Sequence, residues 1–259
     1  MVRSIDNTTH YNWGNNCTGW HLLQSDSLGV IQERMPPGTT EKLHYHTKAQ
    51  QLFFILSGTA TFEINGQYHI VAANESIHVP VKSLHCIANQ HNASLDFIVI
   101  SEPQSHGDRI EIIEYSDELR QSIKTLNYEW LEKYFRVEPG DIVALSDPSK
   151  EIIEKGGFIF YAKMNGEIVG TASLLKKTAT EFELGKMAVT ENAQGYGIGK
   201  ALITHCMNVA KRLSIQRLIL YSNTILVPAI HLYKSFGFVQ TALEPGLYER
   251  ANIKMEKYV

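Results

Sequence analysis

The stretch NAQGYGIGKAL, residues 192–202, places three glycines between a strand-like segment and a helix-like segment. The strand-like segment ends at Val189, and a helical period begins at about Ile198. Glycine permits positive φ angles and lets backbone N–H groups approach an anion closely. A helix N-terminus adds the positive end of a dipole. The stretch therefore predicts a loop that binds a phosphate-bearing ligand.

Two common phosphate-binding patterns do not fit this loop. The pattern GxxxxGK[ST] fails because only three residues separate Gly195 from Gly199 and because Ala201 follows Lys200. The dinucleotide pattern GxGxxG fails because Lys200 stands at the position of its third glycine. The loop therefore indicates another class of phosphate ligand.

The segment before this loop begins with a predicted helix. Ser116 and Asp117 can cap its start, with Glu118 in the first turn. Apolar residues then recur at spacings of three and four, as a helix with one buried face requires. These residues are Leu119, Ile123, Leu126, Trp130, Leu131 and Tyr134. A broken region with Pro139, Gly140 and Pro148 follows this helix.

Strands and helices then alternate to the end of the chain. GFIFYAKMNGEIVGTASLL is a predicted hairpin that turns at Asn165 and Gly166, and EFELGKMAVT is a further strand. A second helix runs from about Ile198 to Leu213, and RLILYSN is a strand. The apolar face of that helix consists of Ile198, Leu202, Cys206, Val209 and Leu213. A last helix covers residues 228–236 and stops at Gly237. This order predicts an α/β or α+β domain.

Several motifs of this half together resemble the GNAT acyltransferases. Gln194-x-x-Gly197-x-Gly199 resembles their pyrophosphate loop, ELGKMAV and LILYSNT resemble their fourth and fifth strands, and AIHLYKSFGF resembles a later helix end. The resemblance covers about residues 110–259. It implies an α/β acetyltransferase domain, which we place at residues 106–259, with acetyl-CoA as cosubstrate.

The resemblance also implies roles for individual residues. Backbone groups of Met187, Ala188 and Val189 would pair with the pantetheine arm as a neighbouring strand does, and Asn223 would lie near that arm. Backbone N–H groups of the loop would bind the pyrophosphate. The loop residues are Gln194, Gly195, Tyr196, Gly197, Ile198, Gly199 and Lys200.

Acetylation of an amine needs a base for the amine proton, stabilisation of the thioester oxygen and an acid for the departing thiolate. By the resemblance, Tyr233 is the candidate acid and Glu183 the candidate base, although water or a more distant carboxylate could replace Glu183. The backbone N–H near Ala188 is the expected donor to the oxygen. Tyr248 and Arg250 are candidates for the acceptor pocket.

The first half of the chain has a different pattern. Between residues 28 and 101, short apolar runs alternate with turn residues, and Asn65 and Gly66 indicate a two-residue hairpin. This pattern predicts an all-β sandwich or small barrel. The polar segment SEPQSHGDR, residues 101–109, is the predicted linker.

Two histidines stand out in LHYHTKAQQLFF, residues 43–54. His44 and His46 share one face if this segment is a strand, and they can share a metal if further ligands arrive from elsewhere. The candidates are Gln51 and His85. The alternative is a metal-free polar pocket in which the histidines form hydrogen bonds.

The spacing around these residues resembles the cupins. Their first motif is similar to Gly38-x5-His44-x-His46-x4-Gln51-x6-Gly58, and their second to Asn74-x5-Pro80-x-Lys82-x2-His85-x3-Asn89. The family usually has glutamate in place of Gln51 and glycine in place of Asn74 and Lys82. The resemblance implies a double-stranded β-helix, or jelly-roll barrel, which we place at residues 1–105.

The glutamine at position 51 affects the predicted metal. Three imidazoles and a neutral amide oxygen suit Zn, Ni, Fe or Cu better than Mg or Ca. One negative ligand fewer should lower the affinity for a divalent ion. The set also differs from the two-histidine-one-carboxylate set of non-haem iron oxygenases, which argues against a dioxygenase.

Composition restricts the partners and the location. The 259 residues carry a net charge of −3, which gives no electrostatic argument for nucleic acid or an anionic membrane as partner. The N-terminus has no apolar segment of the kind that signal peptides contain, and Cys17, Cys86 and Cys206 show no disulfide pattern. We therefore expect a cytoplasmic protein, and cupin barrels suggest a homodimer at the level of the family.

These expectations combine into one function with two alternatives. The chain is predicted to transfer an acetyl group from acetyl-CoA to the amine of a small molecule, with the cupin as a metal- or ligand-binding module. In the first alternative the cupin senses a ligand and regulates the acetyltransferase. In the second the cupin is itself a metal-dependent enzyme, and the protein is bifunctional.

Overall fold

The computed structural model describes residues 2–105, 109–244 and 248–259. The chain forms two compact units, Met1–Glu111 and Ile112–Val259. Of the predicted linker at residues 101–109, residues 106–108 lie outside the described residues, and its ends belong to strands. No α-helix in the described ranges is both long and apolar enough to cross a membrane.

The first unit is built from antiparallel strands. Its strands are β1 (His10–Trp13), β2 (Cys17–Gln24), β3 (Gly29–Met35), β4 (His44–His46), β5 (Gln50–Ser57), β6 (Thr59–Ile64), β7 (Gln67–Ala72), β8 (Ser76–Val79), β9 (His85–Ala88), β10 (Leu95–Glu102) and the start of β11 (Arg109–Glu114). One sheet has the order β1-β2-β3-β10-β5-β8. In the second, the order is β11-β4-β9-β6-β7.

The apolar core of this unit takes side chains from both sheets. Met35, Phe53 and Phe97 come from the first sheet, and Phe62 and Ile87 come from the second. Alternation along each strand turns these residues inward. The predicted hairpin is confirmed: Asn65 and Gly66 both have positive φ angles, as a tight turn between β6 and β7 requires.

Two strands of this unit lie before the region predicted to form strands, residues 28–101. β1 and β2 pair with each other from His10 opposite Trp20 to Trp13 opposite Cys17. β1 lies at the edge of its sheet, and half of its residues are exposed. A partly exposed edge strand needs no continuous apolar run, so these segments did not show the pattern expected of a strand.

The second unit combines helices with a mixed sheet. Its helices are α1 (Arg120–Tyr134), α2 (Pro139–Ser146), α3 (Ile198–Arg212) and α4 (Val227–Ser235). Its further strands are β12 (Phe158–Met164), β13 (Glu167–Lys176), β14 (Glu181–Val189), β15 (Arg217–Ser222), β16 (Val239–Thr241) and β17 (Ile253–Tyr258). The sheet order is β16-β17-β15-β14-β13-β12. β14 and β15 are parallel, and the other pairs are antiparallel.

The first predicted helix begins later than expected. A short 3₁₀ helix covers Asp117–Leu119, and α1 follows from Arg120. Ser116 is the N-cap residue of this 3₁₀ helix, as predicted, although its side chain makes no capping hydrogen bond within the described residues. Ile123 and Leu131 are buried as predicted, whereas Tyr134 at the end of the helix is exposed.

The predicted broken region is a helix instead. Pro139 occupies the first turn of α2, where its fixed φ angle fits and its missing N–H costs nothing. Glu138 and Asp141 form a reciprocal capping box at its start. The Pro-Gly pair therefore marks the beginning of a helix.

The later elements follow the prediction closely. The β12–β13 hairpin turns at Asn165 and Gly166, and Gly237 follows α4 with a φ angle of +81°. Leu213 is an exception, since it lies beyond the end of α3 and is exposed. A Cβ atom on Gly170 of β13 would lie 2.8 Å from Ile198 Cγ2, so this glycine allows α3 to pack closely on the sheet.

Candidate active site and metal centre

A cavity of about 950 Å³ in the second unit opens where β14 and β15 separate. The two parallel strands pair only from Glu181 opposite Arg217 to Glu183 opposite Ile219. Beyond these residues, both strands line the cavity. The register between β13 and β14 also shifts here, and Lys186 has a φ angle of +49°, which identifies a β-bulge. The bulge bends β14 at the point where the cavity begins.

The strand segment predicted to bind pantetheine lies on this cavity. Met187, Ala188 and Val189 line it, and Ala188 and Val189 pair with β13 on their other side. Asn223 lines the cavity from the end of β15. Its side chain is already engaged, because Nδ2 donates to the Arg250 carbonyl at 2.6 Å and Oδ1 accepts from the Ile225 N–H.

The glycine-rich loop forms the next part of the wall. Gly195 and Gly197 have φ angles of +84° and +88°, and Gly197 is the N-cap residue of α3. The Gln194 N–H already donates to the Glu191 carbonyl in a preceding turn. Tyr196 is 41% exposed and lies outside the described lining. The loop residues that line the cavity are Gln194, Gly195, Gly197, Ile198, Gly199 and Lys200.

Tyr233 reaches the same cavity from α4. Its hydroxyl lies 3.9 Å from the Met187 sulfur, and its ring packs against Phe238. Burial raises the pKa of Tyr233 to about 12. The hydroxyl is therefore protonated at neutral pH and can donate a proton to a group in the cavity.

Glu183 lies at the point where the strands part and is 3% exposed. The Tyr248 hydroxyl donates to its Oε1 at 2.9 Å, and the Lys177 ammonium lies 2.5 Å from its Oε2. Burial, and then the neighbouring Glu183 charge, raise the pKa of Tyr248, so this hydroxyl stays a hydrogen-bond donor. Glu183 thus lines the cavity, and each of its carboxylate oxygens lies beside a different partner.

A buried ionic cluster forms another wall. Asp141 binds the Lys186 ammonium at 2.9 Å and accepts two hydrogen bonds from Arg250, at 2.6 and 3.1 Å. Glu138 accepts from the Arg250 backbone N–H at 2.9 Å. Burial alone would raise the pKa of Asp141, but Lys186 and Arg250 outweigh it and hold the pKa below its ordinary value of 3.8.

Most of this cluster was not predicted from the sequence. Arg250 and Tyr248 were candidates for the acceptor pocket, and both line the cavity. Asp141 lies in the segment after Pro139 that was predicted to be irregular, so it was not considered as a site residue. Its spacing from Glu138 matches a capping box and was the available signal.

The second candidate site lies in the first unit. His44 is opposite His85 in the β4–β9 pair, and His46 follows on the same face of β4. All three histidines are buried, and one nitrogen of each lies within 4.8 Å of the others. His44, His46 and Gln51 line a cavity of about 400 Å³. The structure therefore brings the four predicted ligands together.

Hydrogen bonds orient two of the histidine rings. His44 Nδ1 lies 2.9 Å from the Lys42 carbonyl, and His85 Nδ1 lies 2.9 Å from the Ser83 carbonyl. Each Nδ1 must donate, so each Nε2 carries a lone pair in the neutral ring. Burial lowers the pKa of His85 to about 3 and that of His44 well below its ordinary value. Both rings are therefore neutral at neutral pH, as metal ligands must be.

The contacts of Gln51 indicate whether these residues fit a metal ion. Its Oε1 lies 3.0 Å from His85 Nε2, while its Nε2 donates to the Ser101 hydroxyl at 3.2 Å. Two atoms with lone pairs thus face each other, which a shared cation would stabilise. A reversed amide would instead donate to His85, as the metal-free alternative requires. The donor set fits a transition metal.

Carboxylates and an arginine surround the histidines. Glu41 Oε1 lies 3.8 Å from His44 Nε2 and 3.3 Å from an Arg109 nitrogen. Glu33 accepts a hydrogen bond from the Tyr11 hydroxyl at 3.0 Å. Burial raises the pKa of Glu41 to about 7 and that of Glu33 to about 8. Like His44, the residues Tyr11, Glu33, Glu41 and Arg109 line the cavity.

Comparisons with known proteins agree with this division. The model of the acetyltransferase (GNAT) family matches residues 120–238, and the cupin domain model matches residues 31–101. The uncharacterized N-acetyltransferase YvbK of Bacillus subtilis is 28% identical over 113 residues, which are 42% of this chain and 73% of that protein. The mannose-1-phosphate guanylyltransferase of Salmonella montevideo is 34% identical over 80 residues, which are 31% of this chain and only 16% of that enzyme.

A solved structure shows the same fold in the second unit. It is an acetyltransferase of the GNAT family from Staphylococcus aureus Mu50, with a TM-score of 0.54 and 21% sequence identity. The match covers 57% of this chain and 98% of that protein. The predicted fold class, an all-β cupin barrel followed by an α/β acyltransferase fold, is confirmed. The chain joins an N-terminal cupin domain to a C-terminal domain of the GNAT acetyltransferase family.

Proposed function

We propose that this protein transfers an acetyl group from acetyl-CoA to the amine of a small molecule. The observation that carries the proposal is the early separation of β14 and β15 beside the loop at the start of α3. An extended ligand with amide groups can pair with the open edge of β14, and a diphosphate fits the N–H groups at a helix N-terminus. The phosphopantetheine arm of acetyl-CoA has both features.

The cavity also supplies groups for the chemistry. In the reaction the amine nitrogen forms a bond to the acetyl carbon while the carbon–sulfur bond breaks. Tyr233, protonated and beside Met187, is the proposed donor of a proton to the thiolate. Glu183 is the proposed acceptor of the amine proton, directly or through water.

Glu183 has a defined environment for this role. Lys177 lies beside one of its carboxylate oxygens, and Tyr248 donates a hydrogen bond to the other. An ionised carboxylate can accept a proton, and its two partners fix its orientation. Because the cluster of Asp141, Lys186 and Arg250 is internally paired, we assign it to shaping the acceptor side of the cavity.

For the cupin domain we propose a divalent transition metal held by His44, His46, His85 and Gln51. The support is the convergence of atoms with lone pairs in a buried site. Such a metal would supply a positive charge to a ligand in the cavity of about 400 Å³. Metal analysis of the purified full chain, compared with a His44→Ala/His46→Ala variant, tests this part.

Calorimetric titration of the full chain with acetyl-CoA tests the first part, and thiol release with a panel of small amines tests transfer. Gly195→Asp should weaken binding at least about tenfold, because it places a carboxylate where the diphosphate is proposed to bind. Gly166→Asp is a matched control. Its φ angle is +90°, and a Cβ atom meets nothing within 4 Å at either glycine.

The control keeps the two effects apart. Backbone strain is similar at both glycines, so loss of binding in Gly195→Asp alone would support the loop as the diphosphate site. Equal binding by both variants would contradict that role. Absence of binding and of thiol release with the unaltered chain would overturn the proposed acetyltransferase activity.

A further inference from the structure

The proposed metal ligands of the cupin domain carry no negative charge. Three neutral imidazoles and an amide oxygen would leave both positive charges of a divalent ion uncompensated in a buried site. Burial of an uncompensated charge is costly. The cavity does contain carboxylates, and their positions relative to the histidines differ.

Glu41 is a carboxylate that contacts one histidine of the cluster, His44. Its Oε1 lies 3.8 Å from His44 Nε2, a separation compatible with two atoms that bind one ion. Its Oε2 is buried and has no hydrogen-bond partner among the described residues. The Glu41 backbone N–H donates to the Ile87 carbonyl at 2.9 Å, which holds this segment against β9.

Arg109 contacts the same carboxylate from the other side. One of its terminal nitrogens lies 3.3 Å from Glu41 Oε1. The contact leaves the second oxygen without a partner, and a buried carboxylate oxygen without a partner is unfavourable. Glu41 therefore lies between the Arg109 guanidinium and the histidine cluster, whose nitrogen lone pairs can bind a metal cation.

We propose that Glu41 supplies the carboxylate ligand that position 51 lacks. The proposal rests on the metal site proposed above. The donor set then becomes three histidines, one amide and one carboxylate, and the carboxylate comes from the segment before β4 in place of β5. Arg109 orients the carboxylate through its contact with Glu41 Oε1.

Glu33 provides the matched control. It lines the same cavity as Glu41 and has the same side chain. Its Oε1 is already the acceptor of the Tyr11 hydroxyl. Replacing either glutamate by glutamine removes one potential charge from the cavity at nearly constant volume. A difference between the two variants therefore reports contact with the metal.

The experiment is a titration of the metal-free full chain with Co²⁺, followed by calorimetry and by visible absorption. We expect Glu41→Gln to weaken Co²⁺ binding by about tenfold or more and to change the absorption bands, because it removes a ligand. Glu33→Gln should change the affinity by less than about threefold and leave the bands unchanged. Adding Gln51→Glu to Glu41→Gln should restore the affinity, since it returns a carboxylate to the site.

Each outcome separates this inference from the proposed metal site. If Glu41→Gln binds Co²⁺ with the affinity and spectrum of the unaltered chain, Glu41 is not a ligand, although the metal site stands. Equal losses in both glutamine variants would show a general charge effect and would also overturn the inference. If the unaltered chain does not bind Co²⁺ or Zn²⁺, the metal site itself fails.

Discussion

The Tyr233 hydroxyl lies 3.9 Å from the Met187 sulfur, so that a residue of α4 meets the cavity-facing part of β14. Met187 belongs to the segment proposed to pair with the pantetheine arm. A protonated hydroxyl is thereby placed beside the expected path of the thioester. The relationship connects the binding and catalytic proposals through one contact.

Replacing Tyr233 by phenylalanine should therefore affect turnover more than binding. We expect kcat to fall by about 100-fold, the lower range for loss of a general acid. The KM for acetyl-CoA should stay within about threefold, because the ring still packs on Phe238. Steady-state measurement of thiol release gives both values, and Tyr258→Phe, at an exposed position of β17, is the control. An unchanged kcat would assign the acid to another group.

The proposed role of Glu183 as proton acceptor predicts a loss of turnover. Glu183→Gln should lower kcat/KM by about 100-fold, because an amide cannot accept the amine proton. Lys177→Met should lower kcat/KM much less, because it removes one contact of the carboxylate and leaves the proton acceptor in place. If Glu183 has only a structural role, each variant should lose activity in proportion to its loss of stability, and thermal unfolding of each variant checks this.

The cluster around Asp141 should contribute to stability at neutral pH. Asp141→Asn leaves Lys186 and Arg250 buried without their shared partner, which should cost about 3 kcal/mol. Because the pKa of Asp141 is lowered in the folded protein, its contribution is complete above the ordinary value of 3.8 and is lost as the pH falls through the lower folded value. The difference between the variant and the unaltered chain should therefore shrink in acid.

Denaturant unfolding at pH 7 and at the lowest pH where the chain stays folded measures this difference. Glu249→Gln is the control, since it removes an exposed carboxylate that pairs with Arg136. Exposed pairs contribute little, so the control should leave the midpoint nearly unchanged. A constant deficit of Asp141→Asn at every pH would contradict the assigned ionisation.

The full chain can also test whether the cupin domain regulates acetylation. His44→Ala/His46→Ala should reduce bound metal to background, while His69→Ala, at an exposed position of β7, should not. If the cupin acts only as a separate binding module, the kinetics of acetylation should be equal in both variants. A change of kcat/KM in the double variant alone, reproduced by a chelator with the unaltered chain, would support the regulatory alternative.

The features that could be predicted from the sequence, the histidine site and the glycine-rich loop, depend on local sequence patterns. His44 and His46 share a face because strand side chains repeat every two residues, and their spacing to Gln51 and His85 placed all four together. The glycines at 195 and 197 indicated a loop with positive φ angles before a helix, which the structure contains. In each case, residues close in sequence specified the local conformation.

Contacts between distant segments were not predictable in the same way. Asp141, Lys186 and Arg250 come from α2, the bulge of β14 and the segment before β17. These three residues are far apart in the sequence, so no local pattern indicates that their side chains form one cluster of ion pairs. Lys186 also resembles an ordinary strand residue until its positive φ angle is known. Glu41 was overlooked because it occupies an unspecified position of the motif, between Gly38 and His44.

The early parting of β14 and β15 means that the thioester carrier would also act as a structural component. An open strand edge is a template for association with other chains, and an occupied edge is not. Protein that lacks its carrier should therefore be the form most prone to self-association. The lifetime of the enzyme in a cell would then follow the supply of activated acetyl groups as well as its own sequence.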